Sequence, residues 1–335
     1  MKGNLEKLVI SAARSKDVVA CNPEVLAEIV LGERSCRFGL SPKARLLSME
    51  KVHTLVLWTK SPQGILLSQK LEEALKKLRN SGVLLVLQLG VTGFGSTFVE
   101  MGVAPWWESL NGCRELIERN VFRADAVVLR YDPLLSLSFL NRELSNCRED
   151  LFEKIVKRAS SLGIERCVTS ACDLDSYRRA AERFEKLGIL HTGPSDDFAR
   201  AFIGSMAEIA HSSGMELSVC CNPDMEVDGF GCIDGRLYNS LSKRAFGRGA
   251  PECSELRHNA VASQRPRCKC SFSRDIAYSK GFQYCYGKGM GCLYCYSQAR
   301  GISRLAEPVR AEMQRLSKDR QAWEREPYAG LLLSD

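Results

Sequence analysis

The sequence predicts an α/β fold, namely a full or partial parallel β/α barrel of six or more units with a C-terminal cysteine-rich metal-binding segment. Six short apolar runs are each followed by a helical pattern. The runs are continuous in Val, Ile and Leu, which is typical of strands buried on both faces of a parallel sheet. Charged residues follow successive runs, at the strand ends where barrels place their working residues. A doubly wound open sheet is the second choice.

The predicted strands occupy the six apolar runs 8–13, 54–59, 83–89, 126–129, 167–170 and 217–220. Apolar residues at helical spacing predict a helix at 67–78. Further helices are predicted at 109–118, 148–161, 176–187, 196–212 and 235–242, and a polar helix at about 303–323. Another helix is expected to begin at Pro23, with Asn22 as its N-cap. The stretch 35–49 is predicted to form a hairpin or an extended excursion.

This order of elements predicts three parts of the chain. Residues 1–245 form the barrel, residues 246–300 form a basic cluster-binding segment packed at the barrel mouth, and residues 301–335 form a polar helix and tail. The working residues are expected at the carboxyl ends of the strands.

Composition bounds the class of protein. The chain has 335 residues, a formal net charge of +7, 45% apolar residues and 26% charged residues, all ordinary for a soluble globular protein. No apolar run reaches the roughly 20 residues of a membrane helix, and no signal-peptide pattern opens the sequence. We therefore expect a cytoplasmic protein with no membrane partner. The sequence also lacks a P-loop, a dinucleotide fingerprint and paired histidines at zinc-protease spacing.

Positive charge is concentrated near the end of the chain. Between Arg236 and Arg300 there are twelve Lys or Arg residues against three acids. Such a patch can bind phosphates, including those of nucleic acid. It can equally offset the negative charge of a thiolate-bound metal cluster, and the sequence leaves both explanations open.

Cysteine is abundant, with fifteen in the chain and nine of them between positions 220 and 295. Isolated cysteines are usually small buried hydrophobes, and this is the prediction for Cys36, Cys113, Cys147 and Cys167. A dense group in a chain without a secretory signal indicates metal ligands instead. That group is Cys268, Cys270, Cys285, Cys292 and Cys295, with Cys221 and Cys232 as weaker candidates. Its spacing is compatible with zinc, an iron–sulfur cluster or a redox pair.

Several short motifs together support a resemblance to a known family. They are Ile10-Ser11-Ala12 with Arg14 and Asp17, Trp58-Thr59-Lys60 with Pro62, Arg130-Tyr131-Asp132-Pro133, Cys232-Ile233-Asp234-Gly235, Cys268-x-Cys270 with Ser273, Asp275 and Ile276, and Gly291-Cys292-Leu293-Tyr294-Cys295-Tyr296. From Ile10 to about Tyr296 the chain resembles the uncharacterised domain-of-unknown-function 1848 family. The C-terminal cysteines of that family are similar to those of radical S-adenosylmethionine enzymes.

The resemblance implies a function for the last three cysteines. Cys285, Cys292 and Cys295 would hold three irons of a 4Fe–4S cluster, and the fourth iron would stay open for S-adenosylmethionine. The sequence departs from the family pattern because six residues, rather than three, separate Cys285 from Cys292, and Lys288 stands where the first cysteine is expected. We predict that the Gly-rich stretch 286–290 loops out and still delivers Cys285. Ala277 stands where the family tends to have Gly.

The predicted site follows from these observations. Metal ligands are Cys285, Cys292 and Cys295, joined by Cys268 and Cys270. Cofactor contacts are assigned to Tyr294, Arg14, Lys60 and Arg130, and substrate contacts to Asp17, Trp58 and Asp132, while no catalytic residue is assigned. An alternative makes Arg130 with Asp132, or Arg14 with Asp17, a structural ion pair.

Two functions compete. The first is a radical S-adenosylmethionine-like iron–sulfur enzyme that needs an electron donor and acts on a substrate which the sequence does not identify. The cationic strand ends are compatible with an anionic substrate. The second is a non-enzymatic module, stabilised by zinc or a cluster, that binds nucleic acid or a protein. Charged strand ends favour the enzyme, because a simple binding module does not need them.

Overall fold

The structure is a computed structural model that describes residues 7–172, 174, 177–192, 196–221, 225, 227–256, 268–296 and 302–332. Within these ranges the central sheet has eight strands. They are β1 (Leu8–Ala12), β2 (Arg37–Phe38), β3 (Val52–Thr59), β4 (Leu84–Gly90), β6 (Val127–Leu134), β9 (Arg166–Ala171), β11 (Glu216–Val219) and β12 (Arg274–Tyr278). Their order across the sheet is β11-β9-β6-β4-β3-β1-β12-β2. Every neighbouring pair is parallel except β12 and β2.

Two smaller sheets accompany the central one. The first has the order β10-β7-β8 and consists of β7 (Ser136–Phe139), β8 (Arg142–Ser145) and β10 (Leu190–Thr192). The second pairs β5 (Glu100–Met101) with β13 (Gly291–Cys292), and Cys292 stands directly opposite Glu100. This short ladder anchors the C-terminal cysteine motif to the segment that follows β4.

Helices lie in the connections between the strands, and the last one follows β13. They are α1 (Val18–Cys21), α2 (Pro23–Val30), α3 (Gln63–Leu66), α4 (Gln69–Asn80), α5 (Trp106–Glu118), α6 (Glu149–Ser160), α7 (Arg178–Lys186), α8 (Asp196–Ser212), α9 (Gly235–Phe246) and α10 (Ile302–Lys318). The Ser68 side chain caps α4 by accepting from the backbone N–H of Leu71 at 3.2 Å. Asp234 caps α9 in the same way, through the N–H of Arg236.

The parallel sheet predicted from the apolar runs is confirmed, since each of the six predicted strands belongs to it. No described residue closes the sheet between β11 and β12, so a full barrel is not confirmed. The six strands do follow one another across the sheet in one direction without reversal. A doubly wound sheet reverses its order at the switch point.

The strand β12 was not predicted. It lies in the predicted cluster-binding segment 246–300, yet it pairs in parallel with β1, with Ser11 opposite Asp275. Its sequence, Arg-Asp-Ile-Ala-Tyr, has one fully buried apolar residue, Ile276, and so lacks the apolar run that marks a central strand. The segment therefore contributes to the sheet as well as to the cysteine site. Residues 257–267 and 297–300 of the basic region lie outside the described residues, as does residue 176 at the start of the predicted helix 176–187.

The helix α2 begins at Pro23 with Asn22 at the N-cap position, as predicted. The Asn22 side chain makes no capping hydrogen bond to α2. Instead its Nδ2 donates to the carbonyl of Gln283 at 2.9 Å, and its Oδ1 accepts from the N–H of Gln283. This paired contact ties the loop before Cys285 to the end of α1. The excursion at 35–49 contains β2 and an antiparallel bridge between Cys36 and Arg45.

Packing confirms that the isolated cysteines belong to the core. Cys36, Cys113 and Cys167 are 0% exposed and Cys147 is 7% exposed. Burial raises the pKa of Cys36 to about 11 and that of Cys113 to about 12, so both are neutral thiols at physiological pH. Among the described helices, none is long and apolar enough to cross a membrane.

Stability is expected to fall between pH 6.5 and pH 4 because of His53 on β3. Its side chain is 1% exposed, and burial lowers its pKa to about 4. In that pH window the unfolded chain binds a proton which the folded chain does not bind, so acid favours unfolding by about 2–3 kcal/mol. Denaturant unfolding at pH 7 and pH 4 measures the loss, and His53→Gln should flatten this part of the profile. An unchanged pH slope in the variant would contradict the assignment.

Candidate functional site

A cavity of about 350 Å³ lies at the carboxyl ends of the parallel strands. Its wall takes residues from the ends of β1, β3, β4, β6, β9 and β11. This is where α/β sheets and barrels bind ligands, and the volume is within the usual range for a small-molecule site. The charged side chains of the wall are Arg14, Lys16, Asp17, Lys60, Arg130 and Asp132.

Nine of the described cysteines line the same cavity. Eight of them form two sets. The first cysteine group is Cys285, Cys292 and Cys295, and the thiol ring is Cys220, Cys221, Cys232, Cys268 and Cys270. All five cysteines predicted as metal ligands therefore reach one cavity, but they divide between the two sets.

Local backbone structure brings the first cysteine group together. Cys285 opens a 3₁₀ turn that ends at Lys288, and the N–H of Met290 returns to the carbonyl of Cys285 at 3.1 Å. The turn takes up the extra residues of the 286–290 stretch. A tight turn, with the N–H of Cys295 donating to the carbonyl of Cys292, completes the group. The unusual spacing therefore does not prevent the three thiols from lining one cavity.

Two members of the first cysteine group, Cys285 and Cys292, are protonated thiols at neutral pH. Contact with the thiol of Cys21, together with burial, raises the pKa of Cys285. Burial and the nearby Glu100 carboxylate raise the pKa of Cys292 well above its usual range, although Lys60 opposes them. Metals bind thiolates, so loading this group with a metal releases protons and is favoured by higher pH.

The thiol ring is a closed circuit of sulfur contacts. The Sγ atoms of Cys220 and Cys221 lie 3.6 Å apart. Cys221 also contacts Cys268, which contacts Cys270. Cys232 joins Cys270 to Cys220 and completes the circuit. The five residues come from three separate places in the chain, namely the end of β11, the approach to α9 and the approach to β12.

Arg130 links the strand ends to the thiol ring. Its Nη2 pairs with Asp132 at 2.5 Å, and its guanidinium lies 4.9 Å from the centre of the Trp58 ring. Its side chain also contacts Cys232. Burial works to lower the pKa of Arg130, but Asp132 and the neighbouring thiols raise it well above its usual range. The structural ion pair between Arg130 and Asp132 is thus present.

Arg14 pairs differently from the prediction. It contacts Asp275 on β12 at 3.4 Å and donates to the hydroxyl of Ser273 at 2.8 Å. Asp17 instead caps α1 by accepting from the N–H of Ala20, and its other oxygen accepts from the hydroxyl of Thr59 and the N–H of Lys60, each at 2.9 Å. Arg14 therefore ties β1 to the C-terminal segment, and Asp17 ties α1 to the end of β3.

Trp58 is also held in place. Its Nε1 donates to Ser11 at 2.8 Å, and the guanidinium groups of Arg14 and Arg130 lie 5.7 Å and 4.9 Å from its ring centre. The substrate contacts predicted for Asp17, Trp58 and Asp132 remain predictions, since all three side chains have structural partners while lining the cavity.

Lys60 and Tyr294 converge on a buried carboxylate that the sequence did not single out. Lys60 Nζ contacts Glu100 Oε1 at 3.0 Å, the Thr92 hydroxyl donates to the same oxygen at 2.7 Å, and the Tyr294 hydroxyl donates to it as well. The Glu100 side chain is only 2% exposed. Glu100 stands opposite Cys292 in the β5–β13 ladder, so this network holds the backbone of the first cysteine group in place.

Two further cationic residues contact the site, and neither was predicted from the sequence. Lys16 lines the cavity near Cys285. Its Nζ lies 4.9 Å from the Tyr284 ring centre and donates to the carbonyl of Ala277. Burial lowers its pKa, while the Cys285 sulfur opposes that effect. Arg183 is 4% exposed and donates to the carbonyls of Leu293 and Cys295. Lys16 follows the end of β1, a signal that could have identified it, whereas nothing local marks Arg183.

The donor set fits a soft metal or an iron–sulfur cluster in chemical type. Thiolates are the ligands that such groups prefer, and cations lie beside them to offset negative charge. Within the part of the chain that the structure describes, no group of three or more His, Cys, Asp or Glu side chains already has the geometry of a metal site. Binding would therefore require the sulfur atoms to turn toward a common centre.

The fold and the site define an α/β protein whose parallel sheet carries a cysteine-lined cavity at its carboxyl edge. A sequence model of the family described as Domain of unknown function (DUF1848) matches residues 9–297, and the chain belongs to this family. No curated protein matches the chain.

Proposed function

We propose that this protein is an iron–sulfur enzyme of the radical S-adenosylmethionine type, built on a partial β/α barrel. The observation that carries the proposal is the convergence of Cys285, Cys292 and Cys295 on one cavity at the carboxyl ends of the strands. Three thiols can bind three irons of a 4Fe–4S cluster, which leaves one iron for a cofactor. When bound and reduced, such a cluster supplies the electron that cleaves S-adenosylmethionine.

The residues around the first cysteine group have separate roles in this proposal. Lys60 and Lys16 lie beside Cys292 and Cys285, so they offset the negative charge of the thiolates. Arg183 holds the Leu293–Cys295 backbone through two carbonyls, and the Glu100 network holds β13. These contacts preorganise the donors and reduce the rearrangement needed for cluster binding.

Cofactor recognition requires a cation for the carboxylate of S-adenosylmethionine. Among the described cavity residues, Arg14, Lys60 and Arg130 each have a carboxylate partner in Asp275, Glu100 and Asp132. Lys16 has two aromatic rings and a backbone carbonyl instead. An incoming carboxylate therefore gains most from Lys16, and Arg14, Lys60 and Arg130 contribute at longer range.

The test is anaerobic reconstitution with iron and sulfide, followed by electron paramagnetic resonance of the reduced protein. S-adenosylmethionine should change the signal of the cluster, and slow formation of 5′-deoxyadenosine should be detectable without substrate. A reduced four-iron signal that saturating cofactor leaves unchanged would reject the proposal. That result would favour the alternative, a structural or electron-transfer cluster in a module that binds nucleic acid or a protein.

Removal of Lys16 is expected to weaken cofactor binding. Lys16→Met should raise the Kd of S-adenosylmethionine by roughly 10- to 150-fold, the loss of a charge-assisted hydrogen bond worth about 1.5–3 kcal/mol. Iron content should fall far less than in a variant that lacks a ligand cysteine, because Lys16 offsets thiolate charge without binding iron itself. Lys77→Met, at an exposed position on α4, is the matched control and should bind the cofactor normally. Equal affinity in both variants would remove Lys16 from the cofactor site.

A further inference from the structure

The thiol ring has no part in the function proposed above. Its five cysteines contact one another in sequence around the circuit. Three of them come from the β11 end and the approach to α9, and two from the approach to β12, so the fold gathers them from positions as far apart as 220 and 270. Isolated buried thiols need only apolar neighbours. Five that contact their neighbours around a circuit are soft ligands gathered at one place.

Three further observations indicate that the ring is adapted to hold negative sulfur. The N–H of Ile233 points to the Sγ of Cys270 at 3.4 Å, the kind of outer contact that supports thiolate ligands. Arg130 contacts Cys232, and Arg14 lies close enough to Cys270 to stabilise a thiolate there. Cys221 has a φ of +62°, in the left-handed region that favours glycine. The chain thus keeps a thiol where the backbone would prefer no side chain.

We propose that the thiol ring binds one thiolate-preferring divalent metal ion, zinc being the natural choice, at a site separate from the first cysteine group. Zinc is held by four ligands with Zn–S distances of about 2.3 Å, which places neighbouring sulfurs about 3.8 Å apart. The 3.6 Å between Cys220 and Cys221 is close to that edge length. A four-iron cluster is larger and needs its sulfurs further apart, so contact between the thiols favours a single ion.

The charges around the thiol ring and the freedom of its side chains to rotate are compatible with a bound divalent ion. Four thiolates around one divalent ion have a net charge of −2, and two guanidinium groups, those of Arg14 and Arg130, lie beside the ring. No three of the thiols have metal-site geometry in the structure, so binding requires rotation about their χ1 angles among staggered positions. The thiol protons pass to solvent on binding.

The experiment uses the full chain with the first cysteine group removed, as Cys285→Ala/Cys292→Ala/Cys295→Ala. Chelator-treated protein is titrated with Co²⁺ under anaerobic conditions. One equivalent should produce the intense visible bands of tetrahedral cobalt thiolate, and Zn²⁺ should abolish them by displacement. The absence of these bands in a variant whose circular dichroism matches the wild type would overturn the proposal.

Two double variants on that background locate the site. Cys232→Ser/Cys270→Ser and Cys220→Ser/Cys221→Gly each leave three of the five thiols, and the second also relieves the left-handed backbone at position 221. Each should weaken Co²⁺ binding more than about 100-fold, the upper range for losing an outer-shell partner. Cys36→Ala is the matched control and should bind Co²⁺ normally. Bands that survive both double variants would place the metal elsewhere and overturn the assignment.

A second measurement covers variants that fail to fold. Native mass spectrometry of the wild-type protein, expressed with zinc and purified anaerobically, should show one zinc in addition to any iron. Wild-type protein without zinc under these conditions, or with a second four-iron cluster in its place, would overturn the proposal. The result is independent of the proposed function, which is tested by iron in the first cysteine group and by the response to S-adenosylmethionine.

Discussion

Cys292→Ala and Cys295→Ala are each expected to lose most of the iron that the reconstituted wild-type protein binds. The first cysteine group has three thiols for three irons, the thiol-ring cysteines contact one another instead, and the nearby Cys21 contacts Cys285 rather than Cys292. Substitution of either residue therefore leaves two thiols for three irons. The measurement is iron and sulfide per chain after anaerobic reconstitution, together with the visible absorption of the cluster.

Two controls make this result specific. Cys36→Ala removes a buried cysteine that does not line the cavity and should retain full iron content. Cys268→Ala/Cys270→Ala removes two members of the thiol ring and should retain about four irons per chain, because the first cysteine group alone holds the cluster. If all of these variants bind equal amounts of iron, the ligand assignment is wrong. If the thiol-ring variant loses its iron while its fold is intact, the ring takes part in the cluster.

The sequence predicted the parallel sheet well, because its strands are buried on both faces and are therefore continuous apolar runs. Val52–Thr59 is an example, with seven of its eight residues buried. Strand-end residues were located for the same reason: Arg14, Lys60 and Arg130 line the cavity as expected. Residues that follow parallel strands all lie at the carboxyl edge of the sheet, so their position can be predicted once the strands are recognised.

The sequence could not reveal contacts between distant segments. Nothing near Arg274 distinguishes β12 from a loop, because its partner β1 lies more than 260 residues earlier. The thiol ring has the same origin. Cys220 and Cys221 were left without a firm role, although folding places them against Cys232 and Cys268. The pairing of Arg14 with Asp275 rather than Asp17 also depends on β12.

Glu100 illustrates a different limit. An isolated glutamate in a Gly-rich connection is usually a solvated surface residue, and no spacing pattern marks this one. Its burial follows from the β5–β13 ladder, which positions it opposite Cys292, and from three donors that belong to separate parts of the chain. Its importance is visible only after the C-terminal segment has folded back onto the sheet.

Glu100→Gln is expected to destabilise the fold by about 3–5 kcal/mol, the cost of leaving one member of a buried ion pair without its partner. The Lys60 side chain is only 20% exposed. Its ammonium would keep its charge after losing its hydrogen-bonded carboxylate, with Asp132 acting on it without such a contact. Urea unfolding at pH 7 measures the change. Glu153→Gln, which breaks the exposed pair with Lys157 on α6, is the matched control and should cost no more than about 1 kcal/mol.

A second substitution separates charge from packing in this network. Lys60→Met on the Glu100→Gln background removes the unpaired cation, so it should recover part of the lost stability rather than add to the loss. Additive losses in the double variant would show that the two side chains contribute independently, contrary to the ion pair. Because the same carboxylate holds Tyr294 and faces Cys292, Glu100→Gln should also loosen the first cysteine group. We therefore expect slower iron incorporation in Glu100→Gln than in Glu153→Gln under conditions where both variants are folded.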